Sequence, residues 1–524
     1  MSEVPPPEGN DDPGRRVSAA SRGELRAATF SGIRWMTFAR VLAETGSLGS
    51  MVVLAHLIAP AAFGRAAIAL IVPVLASVLT FEGFGSALVQ RDTVEARHLK
   101  TASLLGVITG LVLGTFTALV GPLIAKPLFG GATADLVRLA SPSFLLAGFA
   151  VVPTALLQRR LDFRSMTIAE VSGVSAGSLT SVVLALAGLE GEAIVLGTIA
   201  AGVVSLVLVT RAAPTSALGF DRSAAQDLLG FGVKASVQGL AWMVTRNIDY
   251  AIVGARLGPN ALGFYWRSYT FGVEYQGKIS RIMTRIAFPL YSRTEDRAHM
   301  SAVHSRVLRV HAVVLFPLLA LLIATAPVLI PWLLGARWQP AVLPTQILAV
   351  AGMVLALIAG FGQAALAAGK PGALLVNNLF SLAVYGPVVY FVAPYGLVKL
   401  SIAVVAVVLV TGGVAAYLLL DRAVGIPMRR IFVDAAPATF GAAALLVVAL
   451  PLTHAMHAVH MPAVPVLAVA GLAGLAAYLT TVRLTSRAAW ADLRLLLSHL
   501  RPGRPVVGRK LWARLHPTEG VGVK

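Results

Sequence analysis

VHAVVLFPLLALLIATAPVLIPWLL, from Val310 to Leu334, runs for twenty-five residues without a lysine, arginine, aspartate or glutamate. As a helix rising 1.5 Å per residue it reaches about 37 Å, enough to cross a hydrocarbon core of about 30 Å. Nothing in a soluble core calls for so long an uncharged run. Working outward, comparable runs recur on both sides, separated by turn signals such as Gly188-Leu-Glu-Gly191 and Pro394-Tyr-Gly396. Fourteen spans are expected, the first near 33–58 and the last near 462–482. The chain of 524 residues is 57% hydrophobic and 13% charged, where a soluble surface needs about a quarter charged. The expected class is an all-α polytopic membrane protein.

Charge location fixes the expected orientation. Of 43 lysines and arginines, 29 fall in segments on one face of the membrane if residue 1 lies inside. Six (Arg65, Lys126, Arg138, Arg256, Arg337 and Lys399) fall on the other face, and the remaining eight lie within spans. This asymmetry predicts cytoplasmic termini and contact with anionic membrane lipids. It also accounts for the net charge of +19 without nucleic acid, for which no binding motif is present. Residues 1–31 have no apolar core and read as a disordered cytoplasmic tail, and 484–524 as a basic cytoplasmic tail. Within that second tail, Trp490, Leu493, Leu496, Leu497 and Leu500 have helical spacing. They predict a helix lying on the membrane surface, with a partner-binding helix as the alternative.

A repeat organises the spans. Pro60-Ala-Ala62-Phe63-Gly64 follows span 1 and Pro259-Asn-Ala261-Leu262-Gly263 follows span 7, 199 residues later; Arg34 and Lys234 begin the preceding spans. Six intervening spans leave both copies in the same orientation, a parallel repeat about the membrane normal. The expected divisions are an N-lobe at 32–211, a connection at 212–231, a C-lobe at 232–420 and two extra spans at 421–483.

Intramembrane charges are costly, about 2.5–3.5 kcal/mol each at the centre of the bilayer, so they face other helices or water. Arg267, Glu274, Lys278, Arg281 and Arg285 fall within a sector of about 60° on span 8. Lys234, Gln238, Thr245 and Asp249 share one on span 7, and Thr37, Arg40, Glu44 and Ser47 fall within about 80° on span 1, with Arg40 and Glu44 placed to pair. Adding Arg246 and Glu82, a cavity between the lobes carries a net positive charge. Such a cavity favours an anionic substrate, and arginine suits phosphate. Arg40, Lys234, Arg246, Arg267, Lys278 and Arg281 are the candidate substrate-binding residues; Glu44, Glu82, Asp249 and Glu274 are the candidates for proton or sodium coupling. A plainer reading makes Arg281 and Arg285 snorkelling anchors and the carboxylates structural partners of Arg40 and Arg246. Glu170 reads as a lone interfacial carboxylate.

Enzyme chemistry has little to stand on. Cysteine is absent, which excludes disulfides and thiolate catalysis. No loop is long enough to hold a soluble catalytic domain. His454, His457 and His460 recur every three residues but fall beside Pro462 at a loop, so no metal or cofactor is expected.

Several stretches resemble a family. Leu54-Ala-His-Leu-Ile-Ala-Pro-Ala-Ala-Phe-Gly64, Phe84-Gly-Ser-Ala-Leu-Val-Gln-Arg91, Leu156-Leu-Gln-Arg-Arg-Leu-Asp-Phe-Arg164, Arg246-Asn-Ile-Asp249, Leu257-Gly-Pro-Asn-Ala-Leu-Gly-Phe-Tyr265 and Phe288-Pro-Leu-Tyr-Ser292 are similar to bacterial polysaccharide-biosynthesis (Wzx-type) flippases. The resemblance covers roughly residues 30–430 and implies membership of the multidrug/oligosaccharidyl-lipid/polysaccharide exporter superfamily. It implies two six-helix lobes plus two C-terminal helices in a bacterial inner membrane. The substrate it implies is an undecaprenyl-diphosphate-linked oligosaccharide, moved by alternating access, with polysaccharide polymerases as possible partners. Glu82 stands where the family leads us to expect aspartate. A peptidoglycan-precursor flippase or a cation antiporter of the same superfamily is the alternative, and a membrane enzyme on the same lipid carrier is the third class.

Overall fold

The computed structural model describes residues 39–213, 217–292 and 297–499. The expectations for 1–31, Arg34, Thr37, the Arg285 side chain and 500–524 lie outside the described residues. Within them the regular structure is entirely helical. Eleven helices are long and apolar enough to cross a membrane. They are α2 (Pro60–Gln90), α3 (Ala96–Leu119), α4 (Gly131–Arg159), α5 (Phe163–Leu186), α6 (Gly191–Ala212), α9 (Ala298–Leu334), α10 (Ala336–Ala367), α11 (Pro371–Tyr395), α12 (Leu397–Arg422), α13 (Arg429–Ala458) and α14 (Ala463–Thr485). The other three expected spans fall on α1 (39–57), α7 (222–257) and α8 (259–292), which carry the intramembrane charges and are less apolar for that reason. The expected count of fourteen therefore rests on these three helices. We call the end where odd-numbered helices begin the inner end, and the opposite one the outer end.

Local chemistry sets the helix boundaries. Pro60 and Pro371 stand in first turns, where a missing N–H costs nothing. Asp162 accepts from Ser165 N at 3.0 Å, and Asp221 accepts from Ala224 N at 2.8 Å, capping α5 and α7. Gly258, at φ 82°, breaks what would be one helix into α7 and α8. Three helices contain wider turns with one extra residue: α2 at Val78–Gly85, α8 at Thr270–Glu274 and α12 at Ala416–Arg422.

The two copies of the repeat touch each other. A Cβ added to Gly64 would lie 1.8 Å from the carbonyl oxygen of Pro259, and one added to Gly263 would lie 1.9 Å from that of Pro60. That reciprocity is what a two-fold axis between parallel repeats produces, with α2 and α8 crossing backbone to backbone at the outer end. A third close approach, Gly232 on the Gly83 carbonyl, joins α7 to α2 at the inner end.

Beyond the repeat, α13 and α14 pack on α9 through Val313, Phe316, Ala320, Ala442, Leu445 and Tyr478. The helix expected in the second tail is present as α15 (Arg487–His499), and it is anchored on the bundle. Its Asp492 is buried and pairs with Arg306 at 3.1 Å and with Arg309 at 3.4 Å, while Arg309 also holds Asp434 of α13 at 2.9 Å. The Asp492 carboxylate thus holds α15 against the arginines of α9. The connection between the repeats is also fastened. Asp227 meets Arg91 at 3.2 Å and His98 at 3.4 Å, and Arg97 donates to Ser223 at 3.0 Å.

Candidate functional site

The charged residues converge from α1, α7 and α8, but they do not line one cavity. Starting at the inner end, Arg40 pairs with Glu170 of α5 at 2.5 Å, and Glu44 pairs with Lys278 of α8 at 2.6 Å. The expected pairing of Arg40 with Glu44 along α1 is not formed, and Glu170 is no lone carboxylate. Both observed pairs are about half exposed. An exposed pair of this kind contributes only about 0–1 kcal/mol, so it opens at little cost.

Higher along α8 the setting changes. Arg267 is 7% exposed, and its Nε is buried without a hydrogen-bond partner among the described residues. Its guanidinium lies 3.9 Å from the Trp266 ring centroid and 4.8 Å from that of Phe63. It reaches into a cavity of about 340 Å³ walled by α1, α5 and α6 of the first repeat. Arg246 and Arg281 instead line a cavity of about 440 Å³ inside the second repeat, with Tyr269, Gln276, Tyr385 and Thr411. The wide turn at Thr270–Glu274 explains the divergence. An extra residue in a turn shifts the angular register, so a sector drawn at 100° per residue does not carry across it.

The carboxylates also part company. Asp249, 1% exposed, accepts from the Tyr265 hydroxyl at 2.9 Å, the Tyr385 hydroxyl at 3.0 Å and the Tyr250 N–H at 2.9 Å. It is held by neutral donors and has no ion pair among the described residues, so the plainer reading of it as a partner of Arg246 does not hold. Nor does it face water. Glu274 accepts from Tyr250 at 3.1 Å and Thr270 at 3.3 Å, off the Lys278 edge. Glu82 is exposed in the wide turn of α2 near Gly239, and Lys234 is exposed near the start of α7. The tyrosines were not singled out from the sequence. The available signal was the four-residue spacing of Tyr265 and Tyr269 on a helix that also carries Glu274.

At the outer end Trp338, fully buried, donates from Nε1 to the Ala55 carbonyl at 3.1 Å, and Arg337 donates to that of His56. Its ring meets Phe63 and Phe264 edge-on at 5.2 and 5.9 Å. These contacts close the outer end over Arg267.

Residues 53–343 match the family described as polysaccharide biosynthesis protein. The chain belongs to this family. Family relatives include the lipopolysaccharide biosynthesis protein WzxC of Escherichia coli K12, 25% identical over 70% of this chain and 75% of its own length. Another is the teichuronic acid biosynthesis protein TuaB of Bacillus subtilis, 28% identical over 60% of this chain and 66% of its own. In fold, this family member resembles the lipid II flippase MurJ, with a TM-score of 0.71 at 12% identity over 88% of this chain and 99% of that one. It also resembles an inward-facing MATE-family multidrug resistance transporter, with a TM-score of 0.58 at 15% identity over 75% and 95%. The chain is thus a multi-pass membrane protein of the polysaccharide biosynthesis family, and its fold is that of MurJ and the MATE transporter.

Proposed function

We propose that this protein moves an undecaprenyl-diphosphate-linked oligosaccharide from the inner to the outer leaflet of the bacterial inner membrane by alternating access. Both termini lie in the cytoplasm on this reading. The observation that carries it is the gradient of charge compensation between α1 and α8. Exposed, weakly held pairs stand at the inner end, Arg40 with Glu170 and Glu44 with Lys278, and above them stands Arg267, buried and with no ion pair among the described residues. An anionic headgroup entering at the inner end exchanges hydration first for Lys278 and Arg40 and then for Arg267. The attraction strengthens as the surroundings lose water. The polyprenyl chain stays in hydrocarbon throughout.

Release needs a state with lower affinity. Asp249 is the best placed of the coupling candidates, because a proton or sodium ion taken up there changes its bonds to Tyr265 and Tyr385 and hence the packing of α7, α8 and α11. Glu44 acts differently, competing with phosphate for Lys278.

The test is export in cells. Arg267→Ala and Lys278→Ala should leave membrane insertion intact, lower surface glycan at least tenfold and cause lipid-linked precursor to accumulate. Wild-type export by both folded variants would refute this site.

A further inference from the structure

We infer that the outer edge of the second repeat, where Arg256 and Lys399 stand over Tyr390 and Tyr395, is a binding site for an anionic phospholipid of the outer leaflet. This goes beyond the flippase reading and does not depend on it. The Arg256 guanidinium lies 3.9 Å from the Tyr390 ring centroid, and the Lys399 ammonium lies 5.4 Å from that of Tyr395. All four side chains are exposed. Neither cation has an ion pair or a hydrogen bond among the described residues. A ring covers one face of a guanidinium and leaves its donor edge open to an acceptor.

The outer ends of the two repeats differ in charge. In the first, Arg65, Lys126 and Arg138 are matched in number by Asp135, Glu190 and Glu192, and Arg65 pairs with Glu190 at 2.7 Å. The second has Arg256, Arg337 and Lys399 there and no carboxylate. Arg337 is spent on the His56 carbonyl. In the second repeat α11 and α12 hold the places that α5 and α6 hold in the first. The turn that carries Glu190 in one therefore carries Tyr395 in the other, with Lys399 just beyond it. Membrane topology disfavours cations on this face, and interfacial tyrosines anchor a helix without them. Two cations on exposed rings, with no acid near them in sequence, call for an anion from outside the chain.

The surface beside them says which kind. One turn or more from the outer end, α11 and α12 present Phe391, Ile402 and Leu409, all exposed. Charge at the interface above an apolar wall matches a ligand with a phosphate head and hydrocarbon chains. A soluble glycan or an acidic protein would satisfy the cations and leave that wall uncovered.

The experiment places a fluorescent nitrobenzoxadiazole label at Phe391→Cys in the full chain, which has no other cysteine. The protein is reconstituted in phosphatidylcholine vesicles, and quenching by spin-labelled phosphatidylglycerol is compared with quenching by spin-labelled phosphatidylcholine. The anionic lipid should be preferred at least about fivefold, the effect of one cation near a membrane surface, and the preference should shrink at high salt. Arg256→Gln with Lys399→Gln should bring the two lipids level, whereas Arg256→Lys, which keeps the charge, should retain most of the preference. The same label at Leu186→Cys, at the matching end of α5, should be quenched equally by both. Inorganic phosphate and glucuronate, at matched ionic strength, should not displace the lipid. Equal quenching at Phe391→Cys, a preference that survives the double substitution, or the same preference at Leu186→Cys would each overturn the assignment. Displacement by either soluble anion would overturn it too, in favour of a site for a free anion or an acidic glycan.

Discussion

Single residues decide local stability where helices begin, and Asp162 is the clearest case outside the membrane-spanning segments. Its carboxylate accepts from both the N–H and the hydroxyl of Ser165, at 3.0 and 2.7 Å, which holds its pKa below the ordinary 3.8. The folded value is depressed, so the stabilisation is fully present above 3.8 and is lost as pH falls through the folded value. Asp162→Ala should cost about 1 kcal/mol, seen as a lower melting temperature in detergent at neutral pH. Asp162→Asn keeps the cap and should remove its acid dependence. An Asp162→Ala melt matching wild type would show that α5 starts without this cap. At the same scale, Arg40, Glu44, Lys278 and Arg267 were legible as one-sided charges because a lipid-facing charge is expensive. Their partners were not. Glu170 and Tyr385 reach Arg40 and Asp249 from helices distant in the chain, and no helical periodicity encodes which helices will be neighbours.

Elements were more legible than partners, for a physical reason: an apolar run must span the bilayer, and Gly or Pro must mark its ends. Gly188 and Gly396 take positive φ at helix junctions where the sequence showed turn signals, and Gly258 does so just before the Pro259 copy of the repeat. What periodicity missed was the irregular turn. The wide turn in α8 sends Arg267 toward one repeat and Arg281 toward the other, although both lie in one sector of a regular helix. Similarly, the apolar spacing in α15 was visible while its docking on α9 through Asp492 was not, since Arg306 and Arg309 are nearly two hundred residues away. The repeat motif did announce its role, because Gly64 and Gly263 occupy equivalent places. Gly64→Val or Gly263→Val puts a side chain where the facing carbonyl lies under 2 Å from Cβ, so the backbones of α2 and α8 must separate. We expect either substitution to make the outer halves of α1 and α8 reactive to water-borne thiol reagents, read from single cysteines at Leu54 or Phe264. The chain has no native cysteine to confuse the readout. Unchanged labelling would mean that this contact does not hold the outer end closed.

On the scale of the whole molecule, the two ends are closed by unequal means. Trp338, Phe63 and Phe264 bury aromatic surface at the outer end, each such ring covering about 150–250 Å². At about 25 cal/mol per Å² this contributes several kcal/mol. Along α1 and α8 the inner end has an ion pair that is about half exposed, contributing about 1 kcal/mol at most. The α1–α8 edge of the inner end therefore opens before the outer end does, while the Gly83–Gly232 approach still holds the α2–α7 edge of the inner end. That order suits a carrier which loads from the inner leaflet. It also means that outward opening is the step most sensitive to Trp338. Removing its ring should lower the cost of outer opening by about 2–3 kcal/mol, raising the outward population by roughly thirty- to a hundred-and-sixtyfold. Trp338→Ala should accordingly let a cysteine at Ser50 react with an impermeant reagent from outside, and export should fall because loaded and empty carriers no longer differ in their tendency to open. A Trp338→Ala protein that stays unreactive at Ser50 from outside and exports normally would place the outer barrier elsewhere, leaving the Gly64–Gly263 crossing as the contact that bars the way.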